Sequence, residues 1–189
     1  MPTGVASNLY YIKSFPTFLT KTLIYGGKTG RIDGKMAVLL KEANVEVVLV
    51  ESRVEDRMAV ARELDTVKPS HVFYAAGTTS RPNIDWCEDH KLDTIRTNVF
   101  GTLNIALLCN ERHIHVTVYG TGCIFNYDDA HSLGSGVGFL EEDTPNFYGS
   151  FYSETKGYME SMLKYHPNCM ILRVCMPVSN DLSHRNCKQ

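Results

Sequence analysis

Five short runs rich in β-branched and aromatic residues, at 22–25, 45–50, 71–75, 115–119 and 169–174, recur along the chain with helical stretches between them. Such alternation predicts a parallel sheet, because parallel neighbours need a crossover and a helix supplies it. The stretches between, at 36–43, 55–64, 93–110 and 151–165, carry apolar residues at spacings of three and four. In the third of them Ile95, Val99, Leu103, Ala106 and Leu107 are expected to line one buried face. The fold class is therefore α/β, a doubly wound parallel sheet with right-handed crossovers, whose ligands bind beyond the carboxyl ends of the strands. Residues 125–150 contain Gly134, Gly136, Gly138 and Pro145 and little periodicity, which predicts a long loop over that edge.

With 189 residues, 43% of them hydrophobic and 21% charged, the chain can bury a sizeable core. A net charge of −2 without long runs of like charge lacks the footprint of a nucleic-acid binder or a polybasic membrane anchor. The expected partner is a small molecule or another protein, with neither nucleic acid nor membrane. Six cysteines without a C-x-x-C pair or metal-ligand spacing to the seven histidines point to free thiols, no metal and a reducing compartment, with the cytoplasm expected. No stretch is long and apolar enough for a membrane helix. Residues 1–20 read as a loose N-terminal extension.

After the first run comes Gly26-Gly27-Lys28-Thr29-Gly30-Arg31-Ile32-Asp33-Gly34. Glycines between a strand and a helix allow a tight turn and let the backbone approach a pyrophosphate, which then sits at the positive end of the helix. Gly27, Thr29, Gly30, Arg31 and Ile32 are the candidate contacts. From Gly27 the spacing is G-x-x-G-x-x-D, so Asp33 stands where a third glycine would let helix and strand pack closely. A carboxylate there is expected to weaken binding of a pyrophosphate by repulsion. At the end of the second run stand Glu51, Ser52 and Arg53: an acid accepts the ribose hydroxyls of NAD, whereas Ser52 and Arg53 suit the 2′-phosphate of NADP. Both types are present, and the reading leans to NADP with NAD the alternative. Ala75, Ala76 and Gly77 close the third run with small residues against which a cofactor can lie.

Tyr152 and Lys156 form a Y-x-x-x-K pair at the start of a predicted helix, and residues four apart share a helix face. A cation beside the phenol is expected to lower its pKa from about 10 toward the operating pH, making it a general acid for a carbonyl. Thr121, in the turn after the fourth run, puts a hydroxyl at the same carboxyl edge.

With these residues in place the chain resembles the extended short-chain dehydrogenase/reductases. Within them it is most similar to the nucleotide-rhamnose enzymes that act as 3,5-epimerase and 4-reductase on a nucleotide-linked 4-keto-6-deoxy-sugar. The resemblance rests on L-I-Y-G-G-K-T-G (23–30), T-V-K-P-S-H-V-F-Y-A-A-G (66–77), R-P-N-I-D-W-C-E-D-H-K (81–91), I-R-T-N-V-F-G-T-L-N (95–104), T-G-C-I-F (121–125), E-E-D-T-P-N-F-Y-G-S-F-Y-S-E-T-K (141–156) and M-P-V-S-N-D-L (176–182). It implies an NAD(P)-binding Rossmann domain over residues 21–186 and a UDP- or dTDP-linked substrate of rhamnose biosynthesis. Thr121 would hydrogen-bond the sugar C4 oxygen, Tyr152 protonate it, and Lys156 hold the nicotinamide ribose, with Asn98 supporting them. Cys123 reads by itself as a small buried hydrophobe before a functional thiol; the T-G-C-I-F match, to a cysteine implicated in epimerisation, sets the two readings level, and that role is reasonable because a 4-keto group acidifies carbons 3 and 5. Arg81, Asn83 and Asp85 are candidate substrate-loop residues, or solvated loop polarity.

The chain departs from the family at Asp33, at Arg31, where the family has tryptophan, and at Cys175, where it has arginine. Set against the family, the chain is expected to be C-terminally truncated, with the substrate domain mostly absent. The alternatives are a catalytically impaired NAD(P)-binding regulatory or partner-binding module, or a fragment of the full enzyme. An exposed C-terminal edge of the sheet is expected to call for a homo- or hetero-oligomeric partner.

Overall fold

The computed structural model describes residues 21–26, 31–78 and 83–174. Among them five strands form one parallel sheet in the order β2-β1-β3-β4-β5: β1 (Lys21–Tyr25), β2 (Glu46–Val50), β3 (His71–Tyr74), β4 (His115–Thr121) and β5 (Cys169–Val174). Ile24 of β1 lies between Leu49 of β2 and Phe73 of β3, and Phe73 pairs in turn with Thr117 of β4. The runs read from the sequence thus coincide with the strands to within a residue or two.

Helices α1 (Arg31–Glu42) and α2 (Arg57–Val67) make the first two crossovers. Asp56 caps α2, its carboxylate accepting from Ala59 N–H at 3.0 Å, and Lys68 ends it in a left-handed conformation at φ 50°. Alternation along the strands sorts side chains between two cores. Leu23, Val72, Tyr74, Val116 and Val118 lie in one core with Val60 and Leu64 of α2 and with Ile105, Leu108, Met159 and Leu163 from the two later helices. Ile24 and Phe73 face the other way, onto Ala37 and Leu40 of α1. Helices on both faces and the switch between β1 and β3 make this a doubly wound, Rossmann-like sheet.

The third crossover differs from the sequence reading in register. Short helices α3 (Trp86–Asp89) and α4 (Lys91–Ile95) lead into a π-helical segment, Arg96–Gly101, before α5 (Thr102–Glu111). One extra residue in a turn rotates the remainder of the helix by about 100°. Leu107, expected on the buried face, is therefore 44% exposed, and Ile105, Leu108 and Cys109 take the core instead. Gly101 permits the close approach: a Cβ there would stand 2.6 Å from Val54 Cγ2. Residues 125–150 contain no helix or strand and form the expected long loop before α6 (Phe151–Leu163). On β5, Met170 is 43% and Leu172 36% exposed.

Candidate active site

Thr121 ends β4 and caps the 3-10 turn Gly122–Ile124, its Oγ1 accepting the Cys123 N–H at 3.2 Å. An oxygen that accepts this bond keeps its own O–H free to turn toward the Tyr152 phenol, on which the Thr121 hydroxyl acts by lowering its pKa. Three ties bring Tyr152 to that place. Ser150, in extended backbone, caps α6 by accepting Ser153 N–H at 3.2 Å. Ser153 Oγ donates to the Cys123 carbonyl at 2.7 Å. From α3, the Glu88 carboxylate accepts Phe151 N–H at 2.6 Å, a negative charge at the positive end of the helix. Lys156 comes one turn later, and Thr121, Tyr152 and Lys156 are all buried.

Burial governs their electrostatics. It pushes the Tyr152 phenol up to about 12, with the Thr121 hydroxyl pulling down and Cys123 and Cys87 pushing further up. It brings the Lys156 ammonium down to about 8, opposed by the nearby Glu160 carboxylate. The expectation that Lys156 lowers the phenol is thus not met in this site: burial dominates the Tyr152 phenol, and Lys156 is not among the groups that act on it. A phenol so raised is protonated at neutral pH, which is the form a proton donor needs.

Opposite the ammonium, β3 leads into half-buried Ala75 and Ala76 and exposed Gly77. A Cβ on Gly77 would lie 3.6 Å from Lys156 Nζ and 3.5 Å from Asn98 Oδ1, in ordinary contact with both, so this exposed backbone position lies directly against the buried lysine. Asn98, fully buried in the π-helical segment, clamps the backbone of Thr78: Oδ1 accepts its N–H at 2.8 Å and Nδ2 donates to its carbonyl at 3.0 Å. Both ends of the amide are spent on this turn, so Asn98 fixes the backbone beside the lysine. Cys87 Sγ approaches the same carbonyl at 3.8 Å.

Gly27, Thr29, Gly30 and Arg81 lie outside the described residues, as do Cys175 and the stretch 176–182. Arg31 opens α1 and Ile32 beside it is half-buried. Asp33 is 1% exposed; its Oδ1 accepts Gly34 N–H at 3.0 Å, and its Oδ2 has no hydrogen-bond partner among the described residues. That carboxyl fills the space under Gly26, where a Cβ would come within 2.8 Å of Oδ2, while Gly34 has no neighbour within 4 Å of such an atom and does not replace the missing glycine. Burial raises the Asp33 carboxyl. Ser52 donates to Glu63 of α2, which also accepts from Tyr25 at 2.8 Å, and Arg53, on the surface, pairs with Glu55 at 3.4 Å. Asn83 and Asp85 bond each other at 2.7 Å on the surface, away from the cluster's hydrogen bonds. Cys123 is an exposed free thiol. The structure thus brings Thr121, Tyr152, Lys156, Asn98, Gly77 and Cys123 to one edge. Sequence reasoning did not single out Glu88, Ser153 or Thr78, whose contributions are contacts to residues far along the chain.

Among the described residues no helix is long and apolar enough to cross a membrane, and no three His, Cys, Asp or Glu are grouped to hold a metal. The chain is 53% identical over 162 residues to a bifunctional dTDP-4-dehydrorhamnose 3,5-epimerase/dTDP-4-dehydrorhamnose reductase of Arabidopsis thaliana, covering 86% of this chain and 54% of that protein. It is 51% identical to a trifunctional UDP-glucose 4,6-dehydratase/UDP-4-keto-6-deoxy-D-glucose 3,5-epimerase/UDP-4-keto-L-rhamnose-reductase of the same plant, covering 87% of this chain and 24% of that one. The crystal structure of the L780 UDP-rhamnose synthase from Acanthamoeba polyphaga mimivirus superposes with a TM-score of 0.79 at 33% identity, over 87% of this chain and 59% of that one. The chain thus spans about half the length of the first of these relatives and less of the second. Residues 20–181 match the family model described as RmlD substrate binding domain, and the chain belongs to that family.

Proposed function

We propose that this chain carries the reductase centre of an NADP-dependent nucleotide-sugar 3,5-epimerase/4-reductase acting on a UDP- or dTDP-4-keto-6-deoxyhexose, in rhamnose biosynthesis. The observation that carries the reading is the buried trio: the Thr121 hydroxyl acting on the Tyr152 phenol, with Lys156 one turn on, at the carboxyl edge of a Rossmann-like sheet. Gly77, exposed and next to Lys156 Nζ, is where the ribose and nicotinamide end of a dinucleotide would approach the lysine. When bound, such a cofactor supplies a hydride for carbon 4. Tyr152, protonated at rest, gives its proton to the sugar C4 oxygen, and Thr121 holds that oxygen in place. Lys156 anchors the ribose and its charge favours the phenolate left behind. Cys123, exposed beside Thr121, serves proton movement at carbons 3 and 5. Residues 21–186 form the cofactor-binding domain. The cytoplasm is its proposed location, and a homo- or hetero-oligomeric partner covers the β5 edge.

Purified protein with NADPH and either 4-keto-6-deoxy-glucose nucleotide should consume the nicotinamide absorbance, and Tyr152→Phe should slow this about 100-fold or more. NADPH that binds without turnover would sink the catalytic claim. The buried Asp33 carboxyl beneath Gly26 favours a second reading, an impaired NAD(P)-binding module that regulates or pairs with another protein. Binding without turnover is its expected result.

A further inference from the structure

Arg173 leaves β5 toward α6 and the long loop. Its Nε and Nη2 donate to Glu160 Oε1 at 2.8 and 2.5 Å. Nη1 donates to the Leu140 carbonyl at 2.7 Å, and Nη2 also reaches the carbonyls of Glu141 and Asp143 at 3.1 and 3.3 Å. The guanidinium lies 4.8 Å over the Phe125 ring. One side chain therefore ties both ends of the 125–143 stretch to the sheet, using the planar fork that only arginine offers. Glu160 is the hub: its side chain is 9% exposed, and a Cβ on Gly120 would stand 3.4 Å from its Oε2, so glycine in β4 leaves the carboxylate room. Glu160 is also one turn after Lys156 on α6, and it is the carboxylate that acts on that buried ammonium.

We propose that Glu160 and Arg173 are positioning residues for the site, an ion pair through which the long loop and the charge of Lys156 are set together. The inference rests on the reading of Lys156 as the cofactor lysine. The groups that bear or can bear charge around Lys156 are Glu160 and Tyr152 on its own helix and Arg173 behind Glu160 from β5; Cys87 and Cys123 act on Tyr152. Gly77, which faces Nζ, and Asn98 beside it are neutral. Glu160 thus supplies the counter-charge that burial would otherwise deny the ammonium, and Arg173 holds that carboxylate in place while binding the loop. A loosened loop and a weakened ammonium are then one defect.

The test monitors Lys156 directly, by the pH dependence of its Cε resonance in the full chain, assigned with Lys156→Arg. Glu160→Gln should lower the midpoint by about one pH unit, a tenfold change in the equilibrium. Arg173→Lys should shift it less in the same direction, and both should speed proteolysis within 125–150 about tenfold, since the loop opens more often. A midpoint unmoved in Glu160→Gln overturns the proposal, as does unchanged proteolysis in Arg173→Lys; if Glu160→Gln does not fold, Arg173→Lys is judged by both readouts. NADPH titration of the unmodified chain, run alongside, separates the two claims. Absence of binding there removes the functional reading and leaves the resonance to judge the pair.

Discussion

Asp33 sits in the first turn of α1 with one carboxyl oxygen turned toward Gly26 and without a hydrogen-bond partner among the described residues. In the proposed function the start of α1 receives a pyrophosphate, and that carboxyl would oppose the ligand when ionised and occupies the space a glycine would leave. Asp33→Gly is therefore expected to tighten NADPH binding about tenfold, near 1.4 kcal/mol, read by calorimetric titration. The ligand-free melting temperature should change little, because a glycine in a helix costs about 1 kcal/mol while loss of an unsatisfied buried carboxyl returns about as much. Equal affinities in the two proteins would show that the carboxyl does not bear on the cofactor. The irregular spacing of the glycines was legible in the residues themselves. That Gly34 does not compensate was not, since only the packing shows it to be open.

At the level of elements, α6 presents the chemistry and its first turn is the joint. Ser150 caps it, Ser153 ties it to the 3-10 turn after β4, and Glu88 holds it from α3. Ser150→Ala should destabilise the fold by about 1 kcal/mol in urea unfolding, the usual cost of a lost cap. It should also lower kcat more than it raises KM, because Tyr152 is the side chain that turn aims. The strands and α6 were readable because periods of two and of 3.6 are written locally into apolar positions. The face of α5 was not: an α-helical period places Leu107 inside, and the π-helical segment before it rotates Leu107 outward and Ile105 and Leu108 inward. Asn98, which lies in that segment, meets Thr78 there across 20 residues of chain.

For the whole molecule, the amino edge of the sheet sets a pH limit distinct from the active edge. His71 in β3 bonds Thr117 at 2.8 Å and lies against His115, with ring centroids 4.6 Å apart. Burial, then the neighbouring His115, brings His71 down from 6.5 to about 4. As pH falls through 6.5 the unfolded chain takes up this proton before the folded one does, so this contribution to stability is full above 6.5 and is lost progressively toward 4. His71→Asn should flatten the fall in unfolding free energy over that interval, measured by urea titration at a series of pH values; an unchanged slope would place the acid sensitivity elsewhere.

What the sequence by itself determined is the order of strands and helices, the wide loop before α6, and the four-residue step that puts Tyr152 and Lys156 on one face. These are local periodicities, and each survives whatever the rest of the chain does. Only the tertiary structure decided the charge states and the partners. Tyr152 stands at about 12 and Lys156 at about 8 because both are buried together. Ser52, expected beside a phosphate, is bonded to Glu63, and Arg173 reaches Glu160 and the loop at once. Desolvation and long-range hydrogen bonds depend on which residues the fold brings into contact, and no spacing along the chain records that.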